Sequence, residues 1–120
     1  MKPWEELTPL EKQEAIAVRL GWIKLDSIYP TLWLYHSECV EELPDWPTND
    51  GLAFAEVWPK IVVGNSRAPL GMGISIGRLP PIVPLIYDKE FHTIRKGDTW
   101  ADAICAAAYE LLPAIGGIPR

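Results

Sequence analysis

The chain has 120 residues, a length that fits one domain and leaves little room for a second hydrophobic core. It is 48% hydrophobic with a formal net charge of −5, which allows a packed interior but disfavours direct DNA or RNA binding, because that needs a basic surface. Two cysteines are too few for a disulfide scaffold, and no apolar run reaches the ~20 residues that span a bilayer.

The N-terminal sequence favours a protein of the reducing cytoplasm. Its first 22 residues carry charged side chains throughout and lack the apolar core of a signal peptide. We therefore expect a cytoplasmic protein without a membrane partner.

The first predicted element is a helix from about Pro9 to Leu20. Thr8 suits the N-cap position, Pro9 the first helical position, and Glu11 completes a capping box with Thr8. Gly21 follows as a left-handed stop, before a short extended piece.

A strand is predicted over residues 31–36, TLWLYH, which are rich in aromatic and other β-favouring residues. Side chains alternate between the two faces of a strand. Leu32 and Leu34 should therefore lie on one face, and Trp33 and Tyr35 on the other.

An acidic segment follows this strand. Five acidic residues and no basic one lie between Glu38 and Asp50, and the first 60 residues carry 11 acidic and 5 basic residues in all. The segment is either a solvated acidic loop or a surface for a basic partner, including a mimic of nucleic-acid charge.

A second helix is predicted after the acidic segment, capped by Thr48 or Asn49. Pro59 conflicts with a continuous helix, because proline lacks the N–H donor and its ring clashes with the preceding turn. We expect the helix to end or kink at Trp58.

A Gly- and Pro-rich stretch follows, with a loop predicted over residues 64–73 and strands over 73–79, 82–87 and 90–95. Pro84 favours an edge strand or a bulge for the second of these. Three glycines at 71, 73 and 77 resemble a dinucleotide fingerprint, but the spacing is one residue off and a strand follows where a helix is required.

The last predicted helix begins after Thr99, with Asp102 placed to complete a box-like cap, and Pro113 ends it. Residues 113–120 are expected to form a loose tail. The resulting order, α-β-α-β-β-β-α, predicts an α+β fold. We expect a single small sandwich, over residues 1–120, of about three helices and a three- to four-stranded, mostly antiparallel sheet.

Candidate chemistry is sparse. His36 and Cys39 have the spacing of a metal-binding pair, but a structural zinc site needs two such pairs. A Cys39–His92 nucleophile pair is disfavoured, because the acidic neighbours of Cys39 oppose thiolate formation. No enzyme motif is present, so we expect neither catalysis, nor a metal, nor a cofactor.

The surplus of aromatic residues supplies the candidate binding residues: Trp33, Tyr35 and Trp46. These side chains either fill the core of a small domain or form an exposed patch for a protein partner or for self-association. A third interpretation is a pocket in which a tryptophan stacks on a nucleobase while Arg67 or Arg78 faces the phosphate.

Three segments together carry a resemblance to a known family. The LGW at residues 20–22 resembles the opening of the phage ABA sandwich domain family, and LPDWPTND with LAFAEVW, at 43–50 and 52–58, resembles its acidic loop and central helix. GDTWADAICAAAYELL, at 97–112, resembles its final helix. The likeness covers most of the chain in order.

The resemblance implies a phage or prophage origin, an α/β sandwich and a location in the host cell cytoplasm, but it transfers no functional residues. The expected function is that of a non-enzymatic accessory protein that binds a host or phage protein, with interference in a host defence system as its task. Homo-oligomerisation is a further expectation. The alternative is a protein that binds or sequesters a small, nucleotide-type ligand.

Overall fold

The computed structural model describes residues 2–25, 32–35, 38–64, 71–75, 83–88, 90 and 92–115. Several predictions fall outside these ranges: those on His36, Arg67, Arg78 and Gly77, the strand residues beyond Ser75, and the tail beyond Ile115.

Helix α1 (Pro9–Arg19) begins and ends as predicted. The Thr8 hydroxyl accepts the Glu11 N–H at 3.1 Å, and the Glu11 carboxylate accepts the Thr8 N–H at 3.0 Å, which is a complete capping box. At the other end Gly21 has φ of 95°, and the Trp22 N–H donates to a carbonyl of the last turn at 2.9 Å. The chain therefore leaves α1 through a left-handed glycine stop.

The first sheet is an antiparallel meander of β1 (Ile23–Leu25), β2 (Leu32–Tyr35) and β3 (Glu38–Val40), in the order β1-β2-β3. The strand β3 lies in the acidic segment that was expected to be a loop. Its one charged residue, Glu38, lowers the β-propensity of the sequence, but an edge strand tolerates charge.

The second helical segment runs from residue 50 to 64 in three parts: α2 (Asp50–Leu52), a π-helical turn (Ala53–Val57) and α3 (Trp58–Gly64). The Asn49 side chain caps its start, accepting a backbone N–H of the first turn at 3.1 Å. Of the two expected outcomes, an end or a kink at Trp58, the end is wrong, because helical structure continues to Gly64. The π-helical turn, in which backbone hydrogen bonds span five residues, ends two residues before Pro59.

The second sheet is also an antiparallel meander, of β4 (Gly71–Ser75), β5 (Val83–Tyr87) and β6 (Thr93–Lys96). The strand β5 lies at its centre, so the expectation that Pro84 marks an edge strand is wrong. Pro84 is the second residue of β5, near the start of the strand, and its carbonyl accepts the Gly97 N–H at 3.1 Å. An irregularity in the β5–β6 register lies further along the strand.

The first strand of this sheet bears on the glycine motif. Gly71 and Gly73 lie in β4 and pair with Tyr87 and Leu85 of β5. A phosphate-binding fingerprint needs these glycines in a turn that opens a helix. They occupy a paired strand instead.

Helix α4 (Trp100–Leu111) begins as predicted, with the Thr99 hydroxyl accepting the Asp102 N–H at 3.1 Å. It packs against β5, β6, α1 and the second helical segment, so it is buried on nearly all sides and not on one face alone. Its run of alanines allows these neighbours to approach closely. Its buried residues are Ala101, Ala103, Ile104, Cys105, Ala106, Ala107, Ala108 and Tyr109.

The architecture is therefore α+β, with three helical segments and antiparallel strands, as the sequence predicted. The described strands form two three-stranded sheets. Strands pair only with their neighbours in sequence, and the second helical segment separates the two groups.

Candidate interaction surfaces

Of the three candidate aromatic residues, Trp33 and Trp46 are buried, whereas Tyr35 is half-buried. Trp33 is 5% exposed, and Trp46 is fully buried with its ring edge-on to Trp22 at 5.7 Å between centroids. Tyr35 is half-buried and stacks on Trp22 at 4.9 Å with an interplanar angle of 7°. The core interpretation holds for Trp46, which has no surface to offer a partner in this structure.

The nucleobase-stacking hypothesis needs a free aromatic face beside a cation. One face of Tyr35 is occupied by Trp22, and the Lys24 ammonium lies 5.8 Å from the centre of the Trp33 ring. Since Arg67 and Arg78 lie outside the described residues, this alternative stays a prediction.

The first sheet turns one apolar face away from the core. Antiparallel pairing joins Ile23, Leu34 and Cys39 in one row and Leu25 with Leu32 in the next, so all five side chains lie on the same face, which we call the outer face. Cys39 is exposed and the other four are half-buried. Among the described residues, none of these four packs against the hydrophobic core. The outer face is apolar and carries no charge.

The opposite face of the same sheet covers the core. Lys24, Trp33 and Val40 form its central row, and Trp33 and Val40 pack into the hydrophobic cluster. The alternation in TLWLYH correctly separated the two faces. Which face would be buried was not evident, because tryptophans and leucines both suit a core.

A groove runs between α1 and the first sheet, and we call it the α1–β3 groove. Two adjoining depressions of about 220 and 240 Å³ form it, and both are lined by Leu10, Trp33 and Glu41. Leu10 is 60% exposed, whereas Trp33 forms the floor. The remaining lining residues are Gln13, Glu14, Lys24, Glu42 and Leu43.

A larger cleft of about 420 Å³ lies at the start of α4, with Asp102 at its centre. The Asp102 carboxylate accepts the Trp4 indole N–H at 3.0 Å and lies 3.9 Å from the Lys12 ammonium. The Lys12 ammonium also lies 5.1 Å from the centre of the Trp4 ring. These groups join the N-terminal segment to α4, so the carboxylate has a structural role.

The buried cysteine, Cys105, is poorly suited to act as a nucleophile. Burial raises the pKa of the Cys105 thiol, and the nearby Asp102 and Asp45 carboxylates raise it further. His92 has its Nδ1 at 3.8 Å from Asp88 and 3.6 Å from Glu90, all in the turn before β6. Across the described residues, no group of three His, Cys, Asp or Glu side chains is arranged to hold a metal ion.

No protein-family model, curated protein or solved structure matches this chain. The resemblance to the phage ABA sandwich family therefore stays a prediction. No helix in the described part of the chain has the length and apolar character to cross a membrane.

Proposed function

We propose that the chain is a non-enzymatic protein that acts by binding another protein. The observation that supports this role is the outer face of the first sheet. Its four aliphatic residues are half-buried and lie outside the hydrophobic core, and uncharged apolar residues typify the centre of protein interfaces.

The outer face alone is too small for a stable complex. Three strands spaced about 4.8 Å apart, each three or four residues long, present far less than the ~800 Å² that each partner buries in a typical interface. The binding surface must therefore extend onto neighbouring elements. The acidic residues of β3 and of the turn after it are the nearest polar rim.

The proposed partner is a host protein, and the proposed task is interference with a host defence system. This part of the proposal rests on the resemblance to the phage family and on the acidic first half of the chain. A phage or prophage origin predicts that the gene lies among other phage genes.

The test is capture from a host lysate with matched variants. The double variant Ile23→Thr with Leu34→Thr makes the outer face more polar and places a β-branched threonine, which favours strands, at both positions, so the strands should still form. The control is Val63→Thr on α3, where the side chain is 85% exposed. Wild type and control should retain the same protein, and the double variant should lose it.

Two results would count against the proposal. Equal capture by all three forms would place binding elsewhere than the outer face. A wild-type protein that retains nothing, and stays monomeric by native mass spectrometry, would remove the binding role. Circular dichroism of the double variant separates loss of binding from loss of fold.

A further inference from the structure

We infer that the α1–β3 groove binds a basic, amphipathic segment of the partner protein. An apolar side chain of that segment would contact Leu10 and Trp33, and its Lys or Arg side chains would pair with Glu41 and Glu42. The inference rests on the proposed protein-binding function, but it concerns a surface on the other side of the sheet, which shares with the outer face only the acidic turn after β3.

The apolar half of the groove is held in place by α1. Leu10, Gln13 and Glu14 lie three and four residues apart, so they form one stripe along that helix. The Gln13 side-chain amide donates to the Leu43 carbonyl at 3.2 Å, which fixes α1 against the turn after β3. Leu10, one step along the stripe, remains 60% exposed above the Trp33 ring. A bound apolar side chain would remove this leucine from water.

The acidic half of the groove contains two carboxylates that a ligand can reach. Glu41 and Glu42 are exposed, and neither forms an ion pair among the described residues. The one basic residue of the lining, Lys24, has its ammonium 2.8 Å from the Glu14 carboxylate. The lining therefore carries three acids and one base, which favours a cationic occupant and repels an anionic one.

Charge also selects among possible occupants. A second copy of this chain has a net charge of −5, so overall charge repulsion disfavours its approach to an acidic groove. A phosphate-bearing ligand would meet the same repulsion. A partner segment that carries Lys or Arg beside a Leu, Ile or Phe complements both the acidic half and the apolar half of the groove.

The experiment uses a synthetic amphipathic peptide of Lys and Leu residues, with a second peptide carrying Glu for each Lys as its control. Binding to the full chain is measured by isothermal titration, and the indole N–H resonance of Trp33 reports the site. We expect only the basic peptide to bind and to shift this resonance. Raising the salt concentration should weaken binding, because exposed charges are screened.

Variants on the full chain locate the contact. Leu10→Ser should lower the affinity for the basic peptide about tenfold. The double variant Glu41→Gln with Glu42→Gln should lower it about fivefold at low salt. The control Val63→Ser changes an exposed valine of α3 and should leave the affinity unchanged. Leu10 and both glutamates are at the surface, so these variants should fold.

The inference is overturned if Leu10→Ser binds as tightly as wild type, if the acidic peptide binds equally well, or if the Trp33 resonance does not move. It is also overturned if the groove is covered by self-association. Its failure is distinct from failure of the proposed function, because capture through the outer face does not depend on Leu10.

Discussion

Gly97 lies where the second sheet meets α4, and its missing side chain sets how closely they pack. A Cβ atom at this position would lie 2.5 Å from the Ala103 nitrogen and 2.9 Å from the Ala103 Cα. Both are backbone atoms of α4, so neither can rotate away. The close packing of the second sheet against α4 therefore depends on the absence of a side chain at Gly97.

Gly97→Ala is therefore expected to destabilise the protein, by about 1–3 kcal/mol as in other overpacked sites. Urea unfolding measures the change. The control is Gly51→Ala in α2, where an added Cβ would meet only the Asn49 side chain at 3.3 Å. Equal stability of Gly97→Ala and wild type would show that α4 is packed more loosely.

The two thiols should differ in reactivity. Cys39 is exposed in β3, whereas Cys105 is fully buried in α4 and has a raised pKa. An aromatic disulfide reagent at neutral pH should therefore modify one thiol of the native protein and two after unfolding. Rapid modification of both thiols without denaturant would contradict the burial of α4.

Residue-scale prediction from sequence worked where the cause was local. Thr8, Asn49 and Thr99 all cap helices, because each cap depends on a side chain and a backbone N–H only three residues away. The burial of Trp46 could not be predicted from the sequence, because it depends on Trp22 and on elements distant in sequence.

At the scale of single elements, α1 is stabilised at its start by the reciprocal bonds of Thr8 and Glu11. Replacing Thr8 by Ala removes the acceptor for the Glu11 N–H and should cost about 1 kcal/mol. Thermal unfolding of this variant measures the cost. An unchanged midpoint would mean that packing of α1 alone holds its first turn.

The Glu11 side of the box predicts a pH dependence. The backbone N–H of Thr8 holds the pKa of the Glu11 carboxyl below its ordinary value of about 4.3. A lowered pKa stabilises the folded state above the unfolded-state pKa, and this contribution is lost as pH falls through the folded-state value. The free energy of unfolding should therefore be larger for wild type than for Glu11→Gln at pH 7, and the difference should shrink as pH falls through the folded-state pKa of Glu11. A difference independent of pH would contradict this assignment.

Two elements show why sequence patterns fail at this scale. The residues of β3 form a strand because β2 offers a free edge, a partner that the acidic sequence does not reveal. The second helical segment continues past Pro59 and contains a π-helical turn just before it, a backbone form without a clear sequence signal. In both, the environment outweighs local propensity.

At the scale of the whole molecule, α4 is the central element. The second sheet, α1 and the second helical segment all pack around it. The first sheet lies to one side and contributes its tryptophan-bearing face to the core. The four aliphatic residues of the outer face lie outside this core among the described residues.

The candidate surface could be predicted only in part. The alternation of Leu32 and Leu34 against Trp33 and Tyr35 gave the two faces of β2 correctly. The contributions of Ile23 and Cys39 follow from strand pairing, which joins residues far apart in sequence. The α1–β3 groove likewise depends on how α1 crosses the sheet.

Hydrogen–deuterium exchange of the full chain, with and without its captured partner, tests the protein-binding role most directly. If the first sheet binds the partner, we expect slower exchange in residues 23–25, 32–35 and 38–40 of the complex, because the bound protein shields these strands and suppresses their opening. The amides of α3 should exchange at an unchanged rate. Protection confined to α3 or the second sheet, with the first sheet unaffected, would contradict the assignment of the outer face as the binding surface.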